Sequence, residues 1–125
     1  MKNKIFAIFL ALFFISCVQS KINSQLENNI AKYVEFKDLS KSIVKDLKTR
    51  TNLNGLLEFE LILQSSSDKN IAYKVQWEDE SGFYIKSPLD ENYELVRLNA
   101  GRELVIKKLA HSQNAKDFKI FLQGK

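Results

Sequence analysis

Residues 56–85 read LLEFELILQSSSDKNIAYKVQWEDESGFYI, and their spacing decides the fold class. Leu57, Phe59, Leu61 and Leu63 alternate with Glu58, Glu60, Ile62 and Gln64. A period of two with one wholly apolar face describes a strand half-buried against a core. Ser65 to Asn70 is a run of turn-forming polar residues. Beyond it Tyr73, Val75 and Trp77 alternate with Lys74, Gln76 and Glu78 in a second strand of the same kind. Asp79-Glu80-Ser81-Gly82 supplies another turn, in which Gly82 can take a positive φ. A short strand from Phe83 to Lys86 then ends near Pro88, which cannot donate to a ladder. The pattern predicts that Leu57, Phe59, Leu61, Leu63, Tyr73, Val75 and Trp77 are buried together as a core hairpin.

The same period continues toward the C-terminus. Tyr93 to Leu98 reads as a strand, Asn99-Ala100-Gly101 as a turn and Glu103 to Leu109 as a strand. Ala110 to Lys116 is a polar loop, and Phe118, Ile120 and Leu122 alternate with Lys119, Phe121 and Gln123 in a last strand. Toward the N-terminus the signal divides. Leu39, Ile43 and Leu47 recur every four residues, as on a helix face, whereas Tyr33 to Phe36 and Ser42 to Val44 favour strands. Strands are expected at about 31–36 and 42–50. Seven to eight short strands with turn signals every 8–12 residues describe an all-β fold, an antiparallel β-sandwich over residues 30–125.

Residues 1–17, MKNKIFAIFLALFFISC, have a different character. Lys2 and Lys4 precede an unbroken apolar run from Ile5 to Ile15. At about 1.5 Å per residue that run is too short to cross a ~30 Å hydrocarbon core, and it fits a cleaved signal peptide over residues 1–16. Phe14-Ile15-Ser16-Cys17 resembles a bacterial lipobox, with Phe14 in place of the usual Leu. The small Ser16 gives a peptidase access to the bond, and the Cys17 thiol takes diacylglycerol. Several acyl chains at ~0.8 kcal/mol per buried methylene hold a protein on a membrane. Cys17 is the lipid-attachment site expected, and as the chain's single cysteine it leaves no internal disulfide. Val18 is not the Asp that retains enteric lipoproteins in the inner membrane, so outer-membrane anchoring facing the periplasm is expected, with the cell surface as the alternative. Residues 17–29, Asn-, Ser- and Gln-rich after the cysteine, are expected to be a flexible tether.

With 45% hydrophobic and 27% charged residues the chain is globular. Of its 19 basic side chains two belong to the leader, leaving 17 against 15 acidic ones. That balance argues against nucleic acid, which calls for a clustered basic face. His111 is the single histidine, and no convergent spacing of Cys, His and carboxylates suggests a metal. No serine lies in a G-x-S-x-G context and no glycine-rich phosphate loop exists. Asp79 and Glu80 could pair as acid and base, but a Gly-ended turn explains them as turn formers. Lys107-Lys108, with His111 following, could touch acidic lipid headgroups or peptidoglycan, or be a solvated strand end. Trp77 shares the parity of Tyr73 and Val75, which assigns it to the core. Adjacent strand residues face opposite sides, so Phe83 and Tyr84 place an aromatic in solvent, near Tyr93. Phe83, Tyr84 and Tyr93 are the candidate partner contacts.

The stretch LLEFELILQSSSDKNIAYKVQWEDESGF resembles the YcfL-type periplasmic lipoprotein family, a bacterial domain of unknown function. The likeness rests on the polar turn after an amphipathic strand and on Trp77-Glu78-Asp79-Glu80-Ser81-Gly82, the family's W-x-D-x-x-G. Ala115 to Leu122 looks like its closing strand. The resemblance spans about residues 42–123, with Ser65-Ser66-Ser67 where members often carry Asn. It implies an immunoglobulin-like β-sandwich on a lipid anchor and brings no catalytic residues. The expected function is a non-enzymatic envelope lipoprotein that binds another envelope protein, with no cofactor and no small-molecule substrate. The alternative is a surface lipoprotein that engages a host or environmental ligand.

Overall fold

The computed structural model describes residues 24–90 and 92–125. The expected signal peptide and Cys17 lie outside the described residues. Residues 24–33 are helical (α1). Eight strands follow among the described residues: β1 Val34–Lys37, β2 Val44–Thr51, β3 Leu57–Leu63, β4 Lys69–Glu78, β5 Tyr84–Ile85, β6 Glu94–Leu98, β7 Leu104–Leu109 and β8 Asp117–Gly124. They form two sheets. One runs β1-β8-β4, with β5 and β6 sharing the far edge of β4, and the other runs β2-β3-β7. Apolar faces of both sheets meet in one core that includes Phe59, Leu61, Leu63, Val75, Trp77, Phe118, Ile120 and Leu122. Phe118 stacks on Phe59 at 4.7 Å between ring centroids, and Trp77 lies 5.9 Å and 6.0 Å from the two.

Phe59, Leu61, Leu63, Tyr73, Val75 and Trp77 are buried as expected, Leu57 at the strand end is only half-buried against them, and the expected hairpin is not formed. β3 pairs with β2 and β7, whereas β4 pairs with β8, β5 and β6, so the two strands lie in opposite sheets and face each other across the core. Turn chemistry explains the difference. Tight hairpins generally need a residue at positive φ, and residues 64–68 between β3 and β4 contain none. The β2–β3 link, a true hairpin, has one in Gly55 at φ 77°. Alternation names the buried face of each strand and leaves open which sheet carries it.

Two further expectations are corrected. The first strand begins at Val34, and residues 31–33 close a helix instead. Leu26, Ile30 and Tyr33 recur at i, i+4 and i+7, one helical stripe. Ile30 is buried, Leu26 packs against the core, and Tyr33 stacks on Phe118 at 4.3 Å. Helix thus begins within the stretch assigned to the tether, although α1 leaves the N-terminal part of that stretch undescribed. The sandwich is also not wholly antiparallel: β1 runs parallel to β8, pairing Val34 with Ile120 through to Lys37 with Gln123.

Candidate functional site

Between β5 and β6 the chain leaves the sheet edge and returns to it. Ser87-Pro88-Leu89-Asp90 makes a turn in which the Asp90 N–H donates to Ser87 O at 3.1 Å, with proline at the position where its fixed φ suits such a turn. The turn points Asp90 inward, where its side chain is only 6% exposed. Asp90 Oδ2 accepts hydrogen bonds from the Trp77 indole Nε1–H at 2.9 Å and from Ser87 Oγ at 3.4 Å. His111 Nε2 lies 3.7 Å from the same oxygen, and Lys108 Nζ lies 3.6 Å from Oδ1. Lys108 also reaches Glu94 Oε2 at 3.6 Å, and the Tyr73 hydroxyl donates to that oxygen at 2.5 Å.

Lys108 explains how this cluster crosses between the sheets. On β7 it shares parity with buried Ile106, so its stem turns toward the core side. An inward charge on an edge strand discourages pairing with another chain, and here it meets two carboxylates carried from the other sheet. Its ammonium also sits 5.6 Å from the centre of the Tyr73 ring, close enough for a cation–π contribution. Burial, and then the hydrogen bond to Glu94, push the Tyr73 hydroxyl above the ordinary tyrosine value near 10. No buried side-chain nitrogen or oxygen among the described residues lacks a partner. The cluster therefore acts as a latch that fixes the Ser87–Asp90 turn against both sheets.

The outer side of the same excursion is apolar. Phe83 is 71% exposed, Leu89 77% and Leu95 72%, and Tyr84 and Tyr93 are exposed as well. Tyr84 pairs in register with Glu78 and Leu95 with Ala72, so both lie on the outer face of the sheet. Phe83 and Tyr84 adjoin at one end of the excursion. Tyr93 lies at the other, where β6 begins opposite Tyr73, about 17 Å away along β4 at ~3.4 Å per residue. The three form the two ends of a rim that Leu89 and Leu95 fill out, rather than one compact spot. Beside Phe83, Asp79 uses its carboxylate locally: Oδ1 accepts from the Ser81 and Phe83 N–H groups at 2.9 Å each, as a turn former does.

Several of these residues were hidden in the sequence. Leu89 and Leu95 carry no periodic signal. Asp90 could have been suspected from Ser-Pro-x-Asp turn chemistry, and Lys108 from its core parity on an amphipathic strand. Lys107 is exposed and pairs with Glu60 at 3.2 Å, while its neighbour turns inward. Neither a group of three metal-ligating side chains nor a helix long and apolar enough to cross a membrane occurs among the described residues.

Comparison with known proteins adds the family. No curated protein sequence matches the chain. The crystal structure of Campylobacter jejuni cj0090 is similar at a TM-score of 0.70 and 41% identity, over 75% of this chain and 99% of that one. A DUF1425 family member from Shewanella sp. pv-4 shares the fold at a TM-score of 0.52 and 18% identity, over 62% of this chain and 74% of that one. The pattern of the family described as "Protein of unknown function (DUF1425)" matches residues 19–124. The chain belongs to the DUF1425 family.

Proposed function

We propose that this chain is a lipid-anchored envelope protein, tethered through Cys17, that acts by binding another protein along the rim formed by Phe83, Tyr84, Leu89, Tyr93 and Leu95. One observation carries the proposal: five large apolar side chains stand out in water along one sheet edge, Leu89 and Tyr93 on the excursion that Asp90 latches from within and Phe83, Tyr84 and Leu95 on or beside the strands that flank it. Several large apolar side chains exposed along one edge mark an interaction site, and rigid loops on a sandwich are where such sites are found. Charge indicates the partner. Residues 78–94 hold six of the 15 acidic side chains and one basic one, Lys86; Asp90 and Glu94 are taken up by Lys108, which leaves Glu78, Asp79 and Glu80 as the acidic run beside Phe83. An acidic border repels anionic headgroups and favours a partner that brings apolar side chains with Lys or Arg.

The lipobox, the tether and the likeness to YcfL-type lipoproteins support the anchor. Strand order supports an immunoglobulin-like sandwich. In that fold strands A, B and E share one sheet and C, F and G the other, with a buried Trp on strand C. Here β2-β3-β7 occupies the A-B-E places and β4-β8 the C-F places, with Trp77 buried on β4. The parallel β1 takes the seat of G.

A photoreactive phenylalanine analogue placed at position 83 or 89 in living cells tests the rim, with position 53 as the control. Leu53 is fully exposed but lies on the β2–β3 hairpin. The expected result is one protein adduct, of the same identity from 83 and 89 and absent from 53. Adducts only to lipid, or none above the control, would overturn the proposal.

A further inference from the structure

We propose a second binding site at the other end of the sandwich, a preformed cavity that takes an anionic saccharide. Three links meet there: residues 38–43 between β1 and β2, 64–68 between β3 and β4, and 99–103 between β6 and β7. Hydrogen bonds tie them together. The Gln64 N–H donates to Ile43 O at 2.8 Å, Gln64 Nε2 to Gly101 O at 3.0 Å, and the Gly101 N–H to Ser65 O at 2.7 Å. The Ala100 N–H donates to Asp68 Oδ1 at 2.8 Å. Loops braced this way lose little entropy on binding, which is where preorganisation yields affinity.

The braced links border an open cleft of about 590 Å³, within the ~300–1,000 Å³ usual for small-ligand sites and more than a free phosphate ion needs. Its lining differs from that of an apolar ligand site. Five serines contribute, Ser40 and Ser42 from one link and Ser65 to Ser67 from another, together with Gln64, Lys45 and Lys69. Hydroxyls donate and accept, as the hydroxyls of a sugar require, whereas lysines only donate; Ser40 and Ser42 Oγ bond each other at 2.9 Å and Ser65 Oγ accepts from the Ser67 N–H at 3.2 Å, each oxygen keeping further capacity for a ligand. No acidic side chain lines the cavity. The neighbouring Asp68 is committed to Arg97 at 3.3 Å and to the Ala100 N–H. Among the described residues neither Lys45 nor Lys69 has an ion-pair partner. Two uncompensated ammonium groups beside a hydroxyl-lined cavity match a sugar that carries a carboxylate or a phosphate.

This site is separate from the aromatic rim's tip. Lys69 opens β4 at the cavity, and Phe83 follows the far end of β4, about 30 Å away at ~3.3 Å per residue. Titrating the intact domain with glucuronate, glucose 6-phosphate, glucose and inorganic phosphate, read by amide NMR shifts, tests the proposal. The expected result is saturable movement of the Ser65–Lys69 and Gly101 signals with glucuronate or glucose 6-phosphate. Glucose and phosphate should each bind at least about tenfold more weakly, because each lacks one half of the recognised chemistry. A Lys45→Gln, Lys69→Gln double variant, whose remaining spectrum shows that it is folded, should weaken the sugar acid about tenfold. Absence of saturable shifts with both sugar acids, unchanged affinity in the double variant, or inorganic phosphate binding as tightly as glucose 6-phosphate would each overturn it.

Discussion

Replacing Asp90 with Ala tests the latch most directly. The carboxylate is the acceptor of the Trp77 indole, a side chain only 2% exposed, and removing it leaves that donor buried with no partner. An orphaned buried donor costs ~1–3 kcal/mol. Lys108 loses one of its two carboxylates but keeps Glu94 at 3.6 Å, so its loss falls below the ~3–5 kcal/mol of a fully broken buried pair. Together these give a destabilisation of about 3 kcal/mol, which at a urea slope of ~1.5 kcal/mol per molar lowers the unfolding midpoint by about 2 M. Asp90→Asn keeps an acceptor for the indole and gives up only the charge, so it should lose about half as much. Combining Asp90→Asn with Lys108→Met should recover about 1 kcal/mol relative to the sum of the single changes, because the two groups touch. Urea unfolding followed by Trp77 fluorescence measures the parent, the three single variants and the double variant. An Asp90→Ala midpoint within 0.3 M of the parent, or strictly additive single changes, would refute the latch.

Tyr73 should make the fold sensitive to alkali. Its hydroxyl is held above the ordinary value near 10, so its contribution is intact below pH 10 and declines above it, where the unfolded chain gives up a proton that the folded chain keeps. Tyr73→Phe should cost about 1 kcal/mol at neutral pH and flatten the decline between pH 9 and 11 in urea midpoints. At Gly124 a Cβ would lie 2.3 Å from the Asp38 carbonyl oxygen. Gly124→Ala should therefore lose ~1–3 kcal/mol by forcing the backbones apart, more than an exposed Leu53→Ser, which should stay within about 0.5 kcal/mol of the parent. Thermal melts separate the two. Leu61→Ala, at a fully buried position, should cost ~2–5 kcal/mol; a loss under 1 would contradict the packing. Cys17→Ser should move the protein from the membrane to the soluble fraction, and protease treatment of intact cells should cleave the domain only if it faces outward.

Chemistry that works one residue at a time was legible without coordinates. Strand alternation fixes the inward side chains, so Phe59, Leu61, Leu63, Val75 and Trp77 are identifiable as core from order alone. Asp79 to Gly82 announces a turn because Gly82, at φ 84°, adopts a backbone that side chains resist. Helix α1 was less legible. Its stripe is three apolar residues in a polar run, while Tyr33 to Phe36 sends an equally local β signal, and neighbours rather than propensity set the boundary at Val34.

Pairing and convergence needed the tertiary structure. Nothing local distinguishes a hairpin partner from a strand facing it across the core, because both present the same apolar side to the same interior. β3 and β4 therefore passed for a hairpin although they belong to different sheets. The latch was hidden for a related reason: Trp77, Asp90, Lys108 and His111 are spread over 35 positions and meet only when the two sheets close. The chain's order determined which faces are buried, where it turns and what family it resembles. Folding determined which strands are neighbours, that a lysine on a core face finds two carboxylates, and that the serines of two separate links line one cavity.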